Sequence, residues 1–258
     1  MHNAAFAHLG IDSVYLPFPV YDLAAAIQGI RGLNICGASV TIPHKERVLS
    51  MLDMVDEQAR RIGAVNTIVL QAPAEEGGAG RLHGYNTDML GAILPLEEKI
   101  GLSGIRVCLL GAGGAARAIG FGLMGRGAQV VLCSRTAKRG RALAEELGCP
   151  WLPLHEADQL QGEVLVNATS VGMSPLQEKI PVRKEMVARF KVVMDIIYTP
   201  SPTILLKEAK AAGCTVIGGL EMLLYQGVAQ FELWTGREAP VALMRQALQE
   251  ASEKRANL

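Results

Sequence analysis

The sequence predicts an α/β protein of two domains, of which the second contains a doubly wound parallel sheet. Three observations lead to this class. Short apolar runs typical of strands alternate with helical stretches from residue 105 onward, a glycine-rich turn joins one strand directly to a helix, and 50% of the 258 residues are hydrophobic, enough for a sizeable core. The predicted domains are residues 1–87 together with 219–258, and residues 88–218, so the closing helices return to the first domain.

The first half alternates helices and strands less regularly. Asp22 is a candidate N-cap, Pro43 ends a strand, and the acidic, glycine-rich stretch 72–80 suits the solvated tip of a hairpin. The strand 13–18, the helix 22–30 and the strand 34–42 form a predicted β-α-β unit. The other predicted elements are helices 1–9, 44–52, 56–62 and 87–100, and strands 66–71 and 81–85.

In the second half, the strand 105–110 runs into Gly111-Ala-Gly-Gly-Ala-Ala116, which opens a helix that ends at Gly127. Further predicted strands are 128–133, 164–167, 192–196 and 215–217, and further predicted helices are 136–147, 202–212, 221–235 and 240–254. Strands that alternate with helices in this way are typical of a parallel sheet.

The glycine turn has the order of residues that a dinucleotide-binding turn requires. Gly111 permits a tight exit from the strand, Gly113 lets the backbone approach a pyrophosphate, and Ala116 allows close helix-on-strand packing. The phosphates would then bind the unpaired N–H groups of the helix start. An ordinary α/β turn rich in glycine is the alternative interpretation.

The end of the next strand favours NADP over NAD. An NAD site has an acidic residue about 20 positions beyond the glycines, whereas this sequence has Ser134-Arg-Thr136 followed by Lys138, Arg139 and Arg141. Cations at a helix N-terminus oppose the macrodipole, and a bound anion would explain them. Arg135 and Arg139 can fork onto a 2′-phosphate, with Ser134 and Thr136 as hydroxyl donors. A solvated basic helix face is the alternative.

Composition argues against other classes of partner. Lys+Arg and Asp+Glu both number 25, so no long-range field favours nucleic acid or an anionic membrane. The five cysteines are scattered without metal-binding spacing, so we expect reduced thiols, no metal and a cytoplasmic location. No signal peptide or membrane span is predicted.

Polar residues follow apolar segments at three places in the first half. They are Ser39-Val-Thr-Ile-Pro-His-Lys45, Gly63-Ala-Val-Asn-Thr67 and Gly84-Tyr-Asn-Thr-Asp88. Taken singly, each has an ordinary explanation as a turn residue, an N-cap or a surface charge.

Together these motifs resemble the shikimate dehydrogenase family, including its quinate-accepting relatives. The glycine turn, Ser134-Arg-Thr136, Asn167-Ala-Thr-Ser170 and Gly219-Leu-Glu-Met-Leu-Leu-Tyr-Gln226 resemble family motifs in the same order. The resemblance implies an N-terminal substrate domain, a Rossmann-type NADP domain, and NADPH-dependent reduction of 3-dehydroshikimate to shikimate in aromatic amino-acid biosynthesis.

The resemblance also implies the site residues. Lys45 and Asp88 would form the catalytic pair, and we expect Lys45 to donate the proton while Asp88 orients. The substrate would be held by Thr41, Asn66, Asn86, Tyr198 and Gln226. The cofactor would be held by Glu57, Gly111, Ala112, Gly113, Gly114, Ala115, Ser134, Arg135, Thr136, Arg139, Ile196, Gly219 and Met222.

The sequence departs from the family pattern ahead of His2-Asn3, where a strand and a Ser-x-Ser motif are expected and are missing from the sequence as given. An NADP-binding chain with impaired catalysis is therefore an alternative. A quinate/shikimate dehydrogenase of broader specificity is the alternative within the family. A glutamyl-tRNA reductase-like enzyme would need a cysteine nucleophile and a basic surface, and neither is evident. The oligomeric state is left open.

Overall fold

The computed structural model describes residues 1–41, 43–72 and 80–256. The described chain divides into two compact units. The first unit comprises Met1–Thr87 and Gly227–Ala247, and the second comprises Asp88–Gln226 and the residues from Leu248 onward. The predicted strand end at residue 42 and most of the hairpin tip predicted at 72–80 lie outside the described residues. The predicted assignment of 219–226 to the first domain remains a prediction.

The first unit contains a four-stranded mixed sheet in the order β1-β3-β4-β2. The β1–β3 and β3–β4 pairs are antiparallel, and β2 pairs with β4 in parallel. Its core is built on the buried side chains of Val48, Ile68 and Leu82. The elements are α1 (His2–His8), α2 (Leu23–Gly32), β1 (Gly37–Ser39), a 3-10 helix (Arg47–Met51), β2 (Met54–Val55), α3 (Glu57–Ile62), β3 (Thr67–Gln71) and β4 (Arg81–Tyr85).

The predicted strand at 13–18 is wrong, and the predicted β-α-β unit fails with it. The segment forms no strand, and Val14 and Phe18 are 68% and 71% exposed. It is held at Tyr15, whose backbone N–H donates to the Asn3 side chain at 2.6 Å and whose carbonyl accepts from it at 3.0 Å. An alternating apolar pattern forms a strand only where another strand pairs with it. No strand among the described residues pairs with this segment.

Two other predictions for this unit hold and one changes. Asp22 caps α2 as predicted, with its side chain accepting from Ala25 N. The predicted helix 56–62 is α3, and the Asp56 side chain caps it by accepting from Gln58 N and Ala59 N. The predicted helix 44–52 is instead a turn followed by the 3-10 helix Arg47–Met51.

The second unit contains a six-stranded parallel sheet in the order β10-β9-β8-β5-β6-β7. This order matches that of a dinucleotide-binding fold, with the point of reversal between β5 and β8. The predicted α/β class is confirmed. The elements are α4 (Asp88–Glu97), β5 (Arg106–Leu110), α5 (Gly114–Gly125), β6 (Gln129–Ser134), α6 (Ala137–Leu147), β7 (Trp151–Pro153), a 3-10 helix (Leu154–Gln159), β8 (Val164–Asn167), α7 (Lys184–Val187), β9 (Val192–Asp195), α8 (Ile204–Ala211) and β10 (Thr215–Ile217).

Helix α9 (Gly219–Thr235) passes from the second unit into the first at Gly227, and α10 (Val241–Ala256) follows it. Strand β7, the 3-10 helix after it and α7 are additional to the predicted elements. No helix in the described part of the chain combines the length and apolar character needed to cross a membrane.

The contact between α4 and α5 offers a test of packing in the second unit. A Cβ atom at Gly122 would lie 2.6 Å from Ile93 Cγ1 and 2.8 Å from Met89 Cγ. Because all three residues are buried, Gly122→Ala is expected to destabilise the protein by about 1–3 kcal/mol. Urea denaturation followed by circular dichroism measures the change.

Gly125→Ala is the matched control, since it lies in the same helix with nothing within 4 Å of an added Cβ. It should leave stability unchanged or raise it by up to about 1 kcal/mol. Equal losses in both variants would show that the α4–α5 contact is not close-packed.

Candidate functional site

Backbone hydrogen bonds in the first unit join the three segments that carry predicted substrate residues. Val40 N donates to Asn66 O at 2.8 Å, Val65 N donates to Lys45 O at 2.8 Å, and Asn66 N donates to Tyr85 O at 3.0 Å. Lys45 and Asn66 take part in these bonds themselves, and Thr41 and Asn86 each directly follow a bonded residue.

The side chain of Asn66 lies within a buried polar network. Its Oδ1 accepts from Thr87 N at 2.7 Å and from Thr67 Oγ1 at 2.8 Å, and its Nδ2 donates to Thr87 Oγ1 at 3.0 Å. Asn86 is also buried, and its Nδ2 donates to Ala64 O at 2.9 Å. A buried amide satisfied in this way has a single orientation, which is what a residue that positions a ligand needs.

Lys45 is half-buried in the turn that precedes the 3-10 helix, and Thr41 is exposed after β1. Glu57 is exposed as the first residue of α3. Asp88 is the first residue of α4 and belongs to the second unit. The pairing of Asp88 with Lys45 therefore stays a prediction, as does the contact of Glu57 with the cofactor.

In the second unit, the glycine turn lies at the point where the strand order reverses. Gly111 leaves β5 with φ at 117°, and a Cβ atom there would lie 2.7 Å from the carbonyl oxygen of Ala168, the residue after β8. Only glycine fits this exit. Ala112 and Ala115 are half-buried beside it.

The start of α5 is open to solvent. Gly113 and Gly114 are exposed with nothing within 4 Å of an added Cβ, and the N-cap Gly113 provides no side-chain cap. The first turn of the helix is therefore exposed and has no side-chain cap, as the binding of a pyrophosphate would require.

The end of β6 presents a cluster of cations. Arg135, Thr136 and Arg139 are exposed, whereas Ser134 is only 4% exposed. The Ser134 hydroxyl donates to Thr136 O at 3.4 Å and accepts from Trp151 Nε1 at 3.0 Å. Ser134 thus fixes the turn that carries the exposed residues, and its predicted bond to the cofactor stays a prediction.

The remaining predicted residues lie on or near α9 and β9. A Cβ atom at Gly91 of α4 would lie 2.7 Å from Met222 O and 2.9 Å from Gln226 Cβ, so the helix that begins at Asp88 packs on this part of α9. An added Cβ at Gly219 would collide with the carbonyl of Ile196. Met222 is buried, Gln226 is half-buried, and Tyr198 is 48% exposed.

Known proteins resemble this chain over nearly its whole length. The family model described as the shikimate dehydrogenase substrate binding domain matches residues 1–68, and the one described as the shikimate 5′-dehydrogenase C-terminal domain matches residues 219–249. The shikimate dehydrogenase (NADP(+)) of Moorella thermoacetica is 45% identical in an alignment of 265 residues, and the alignment covers 97% of this chain and 88% of that protein.

The chain belongs to the shikimate dehydrogenase family. Solved structures of the family superpose on it closely. A shikimate dehydrogenase in complex with NADP+ gives a TM-score of 0.87 at 38% identity, covering 97% of this chain and 89% of that one. The Thermus thermophilus enzyme in complex with NADP(H) and shikimate gives 0.84 at 38% identity, covering 97% and 92%.

In this shikimate dehydrogenase family member, the sequence prediction missed Gln230. It is 1% exposed, its Nε2 donates to Thr67 Oγ1 at 3.0 Å and to Asn66 O at 3.3 Å, and its Oε1 accepts from Ser39 Oγ at 3.0 Å. Gln230 therefore ties the Asn66 network to β1. The sequence signal available for Gln230 was a glutamine inside an apolar helix, one turn after the predicted substrate residue Gln226.

The prediction also missed the buried carboxyl of Asp195 at the end of β9. Its Oδ1 accepts from Asn167 Nδ2 at 3.0 Å and from Ile197 N at 3.1 Å, and its Oδ2 accepts from Thr203 Oγ1 at 2.7 Å. Burial raises the pKa of Asp195 to about 6, although the three hydrogen bonds lower it. This carboxyl joins the loops that follow β8 and β9, and a lone acid within the apolar run 192–197 was its signal.

The described residues contain no group of three or more His, Cys, Asp or Glu side chains arranged to hold a metal ion. The cysteines are unpaired, and burial raises the pKa of Cys108 to about 12 and that of Cys133 to about 11. These two thiols pack in the sheet as apolar groups.

Asp195 makes stability depend on pH in a defined direction. Since its folded pKa of about 6 lies above the ordinary value of 3.8, the folded protein keeps a proton between these values that the unfolded chain has lost. Its contribution is therefore complete below pH 3.8 and is lost as pH rises through about 6. At about 1.4 kcal/mol per pKa unit, the full change is roughly 3 kcal/mol.

Asp195→Asn removes this titration while keeping the shape of the side chain. The unsubstituted protein loses stability over this range and the variant does not. The stability of the variant relative to the unsubstituted protein is therefore expected to increase as pH rises from about 4 to about 7. Urea denaturation across that range measures the difference, with exposed Asp12→Asn as the control. A pH-independent difference would contradict the raised pKa.

Proposed function

We propose that this chain catalyses the reversible, NADPH-dependent reduction of 3-dehydroshikimate to shikimate. The observation that carries the proposal is the backbone pairing that joins the segments of Thr41, Lys45, Asn66 and Asn86, together with the buried polar network that holds the Asn66 side chain. It is supported by relatives that are named shikimate dehydrogenase (NADP(+)) and match nearly the whole chain.

The substrate residues have distinct roles in this proposal. Lys45 donates a proton to the ketone oxygen during reduction and takes it back in the reverse direction, while Asp88 orients the lysine and the reacting hydroxyl. Thr41, Asn66, Asn86, Tyr198 and Gln226 hydrogen-bond the remaining hydroxyls and the carboxylate side. Asn66 suits this role because its network fixes the amide in one orientation.

The cofactor residues divide by the part of the dinucleotide they hold. Residues 111–115 receive the pyrophosphate at the open start of α5, and the turn 134–139 receives the 2′-phosphate. Glu57, Ile196, Gly219 and Met222 complete the site. When bound, NADPH supplies the hydride that reduces the ketone carbon. A cytoplasmic location remains a prediction from the scattered cysteines.

Lys45→Ala tests the catalytic assignment. General acid catalysis contributes about 10²–10⁴-fold, so kcat for 3-dehydroshikimate reduction should fall by about that factor. Affinity for NADPH should stay unchanged, because Lys45 has no assigned contact with the cofactor. Steady-state NADPH oxidation and calorimetric cofactor titration measure the two quantities, with exposed Lys207→Ala as the control.

Near-normal kcat in Lys45→Ala, with only KM raised, would show that Lys45 binds substrate and does not transfer the proton. Assays of the unsubstituted protein with quinate as well as shikimate separate the broader dehydrogenase from the specific one. Tight NADPH binding without any turnover would favour the impaired alternative.

Arg135→Ala and Arg139→Ala test the cofactor assignment. Each removes a charge-assisted contact to the 2′-phosphate, so NADP+ affinity should fall by about tenfold to hundredfold. NAD+ affinity should change little, since NAD+ has no 2′-phosphate. Isothermal titration measures both, with Arg189→Ala as an exposed arginine elsewhere in the same unit. Equal losses for NADP+ and NAD+ would place the 2′-phosphate elsewhere.

A further inference from the structure

A buried carboxyl joins the carboxyl ends of β8 and β9. Asp195 ends β9 and is 0% exposed, and it pairs in register with Asn167, which ends β8. The Asn167 amide donates to Asp195 Oδ1 at 3.0 Å, the backbone N–H of Ile197 donates to the same oxygen at 3.1 Å, and the Thr203 hydroxyl donates to Oδ2 at 2.7 Å. Both carboxyl oxygens are engaged, so the two strand ends cannot shift relative to each other without breaking one of these bonds.

Stability alone does not explain an acid at this position. Asp195 lies between the apolar residues Met194 and Ile196. The three groups that donate to it are an amide, a backbone N–H and a hydroxyl, and none of the three carries the opposite charge. Burying a carboxyl with uncharged partners costs free energy that an apolar residue in the same strand would not cost. Residues that break the local pattern in this way are expected at functional sites.

On the β8 side, the carboxyl fixes the loop that contacts the glycine turn. The Asn167 side chain, which donates to Asp195, also accepts from Thr169 N at 3.1 Å and from Thr169 Oγ1 at 2.7 Å. Between these two loop residues, the carbonyl oxygen of Ala168 lies 2.7 Å from the position of a Cβ atom added to Gly111. Asp195 is thus connected through Asn167 to the turn that is proposed to bind the pyrophosphate.

On the β9 side, the carboxyl fixes a segment that carries two predicted site residues. Ile197, whose N–H donates to Asp195, lies between Ile196 and Tyr198. An added Cβ at Gly219 would collide with the carbonyl of Ile196, so the start of α9 packs directly on this segment. The bond from Ile197 N to Asp195 therefore sets the position of residues 196–198 relative to both β8 and α9.

The strand ends that Asp195 joins belong to the nicotinamide half of the proposed cofactor site. A doubly wound sheet holds a dinucleotide across the crevice where its strand order reverses, with one nucleotide over each half of the sheet. The 2′-phosphate belongs to the adenosine nucleotide, which the proposed function places at the end of β6. The other nucleotide, which carries the nicotinamide, then lies over β8 and β9 on the other side of the reversal.

We propose that Asp195 is a positioning residue for hydride transfer, because it holds the ends of β8 and β9 in the geometry that places the nicotinamide ring for reaction. The proposal rests on the proposed function, since it takes residues 111–115 and 134–139 as the phosphate contacts and Ile196 as a cofactor contact. A displacement of about 1 Å at a reacting group costs about 10²-fold in rate. The phosphate contacts lie on the other half of the sheet, so replacing Asp195 leaves them in place. Loss of Asp195 therefore lowers kcat with little loss of cofactor affinity.

Asp195→Asn is the principal test. The amide keeps the shape of the side chain but replaces one acceptor oxygen with an NH2 group, which cannot accept from any of the three surrounding donors. In the full chain near neutral pH, kcat for 3-dehydroshikimate reduction should fall by about 10-fold to 100-fold. The dissociation constant for NADP+ should stay within about threefold. Steady-state NADPH oxidation and isothermal titration measure the two quantities.

An isotope effect identifies the step that is slowed. With NADPH deuterated at the transferred hydrogen, the isotope effect on kcat should be at least as large in Asp195→Asn as in the unsubstituted protein, because hydride transfer then limits turnover more strongly. A smaller isotope effect would show that the substitution slows another step, such as product release, and the proposal would be wrong.

Thr203 offers a conservative pair of variants. Thr203→Val removes the hydroxyl that donates to Asp195 and should lower kcat by about threefold to tenfold, whereas Thr203→Ser keeps the hydroxyl and should stay within about twofold. Thr203 also caps α8, so Thr203→Val loses stability as well. Gly122→Ala controls for this loss, because it is expected to destabilise the same unit while its kcat per folded protein stays within about twofold.

Several outcomes would overturn the proposal. A kcat in Asp195→Asn near that of the unsubstituted protein would do so, and so would a loss of NADP+ affinity as large as the loss of kcat, which would indicate a distorted cofactor site. An equal fall of kcat in Gly122→Ala would indicate general destabilisation. If the unsubstituted protein reduces 3-dehydroshikimate and Asp195→Asn does so equally well, this inference fails and the proposed function stands. If the unsubstituted protein binds NADPH without reducing 3-dehydroshikimate, both fail.

Discussion

Asn66 and Asn167 can be buried only because each satisfies its hydrogen bonds inside the protein. Asn66 Oδ1 accepts from Thr87 N and Thr67 Oγ1, and Asn167 Oδ1 accepts from Thr169 N and Thr169 Oγ1. An unpaired buried amide costs about 1–3 kcal/mol, so the loops that supply these partners are held in one conformation. The requirement fixes the junction of Asn66 with Thr87 in the first unit and the loop that follows β8 in the second.

The site in the second unit follows from the order of its strands. Strands β6 and β7 extend the sheet from β5 in one direction, and strands β9 and β10 extend it from β8 in the other. No connection therefore crosses above β5 and β8, and a crevice remains at their carboxyl ends. Gly111 and Ala168 are in close contact there, and the uncapped start of α5 opens beside them. The helix dipole and the cations after β6 then give this crevice a positive potential, although the chain has no net charge.

Asp195 and Trp151 show how the framework beneath the site is built. Neither residue is among those proposed to bind the substrate or the cofactor, and each links a strand end to a loop. Asp195 bonds Asn167, Ile197 and Thr203, while Trp151 bonds Ser134 and underlies Arg141. Burial of the Asp195 carboxyl opposes its ionised form, so the three hydrogen bonds offset a desolvation cost that an apolar residue would not carry.

The sequence by itself determined the elements whose signal is local. The strands Val164–Asn167 and Thr215–Ile217, the cap Asp22 and the glycine turn follow from neighbouring residues, and the structure reproduces them. Only the tertiary structure decided the rest. Residues 13–18 have a strand-like pattern, but no strand in the described part of the chain pairs with them, and Gln230, Asp195 and Trp151 act through residues distant in sequence. Spacing along a chain does not encode which distant group satisfies a buried polar atom, and that pairing is set only when the units fold.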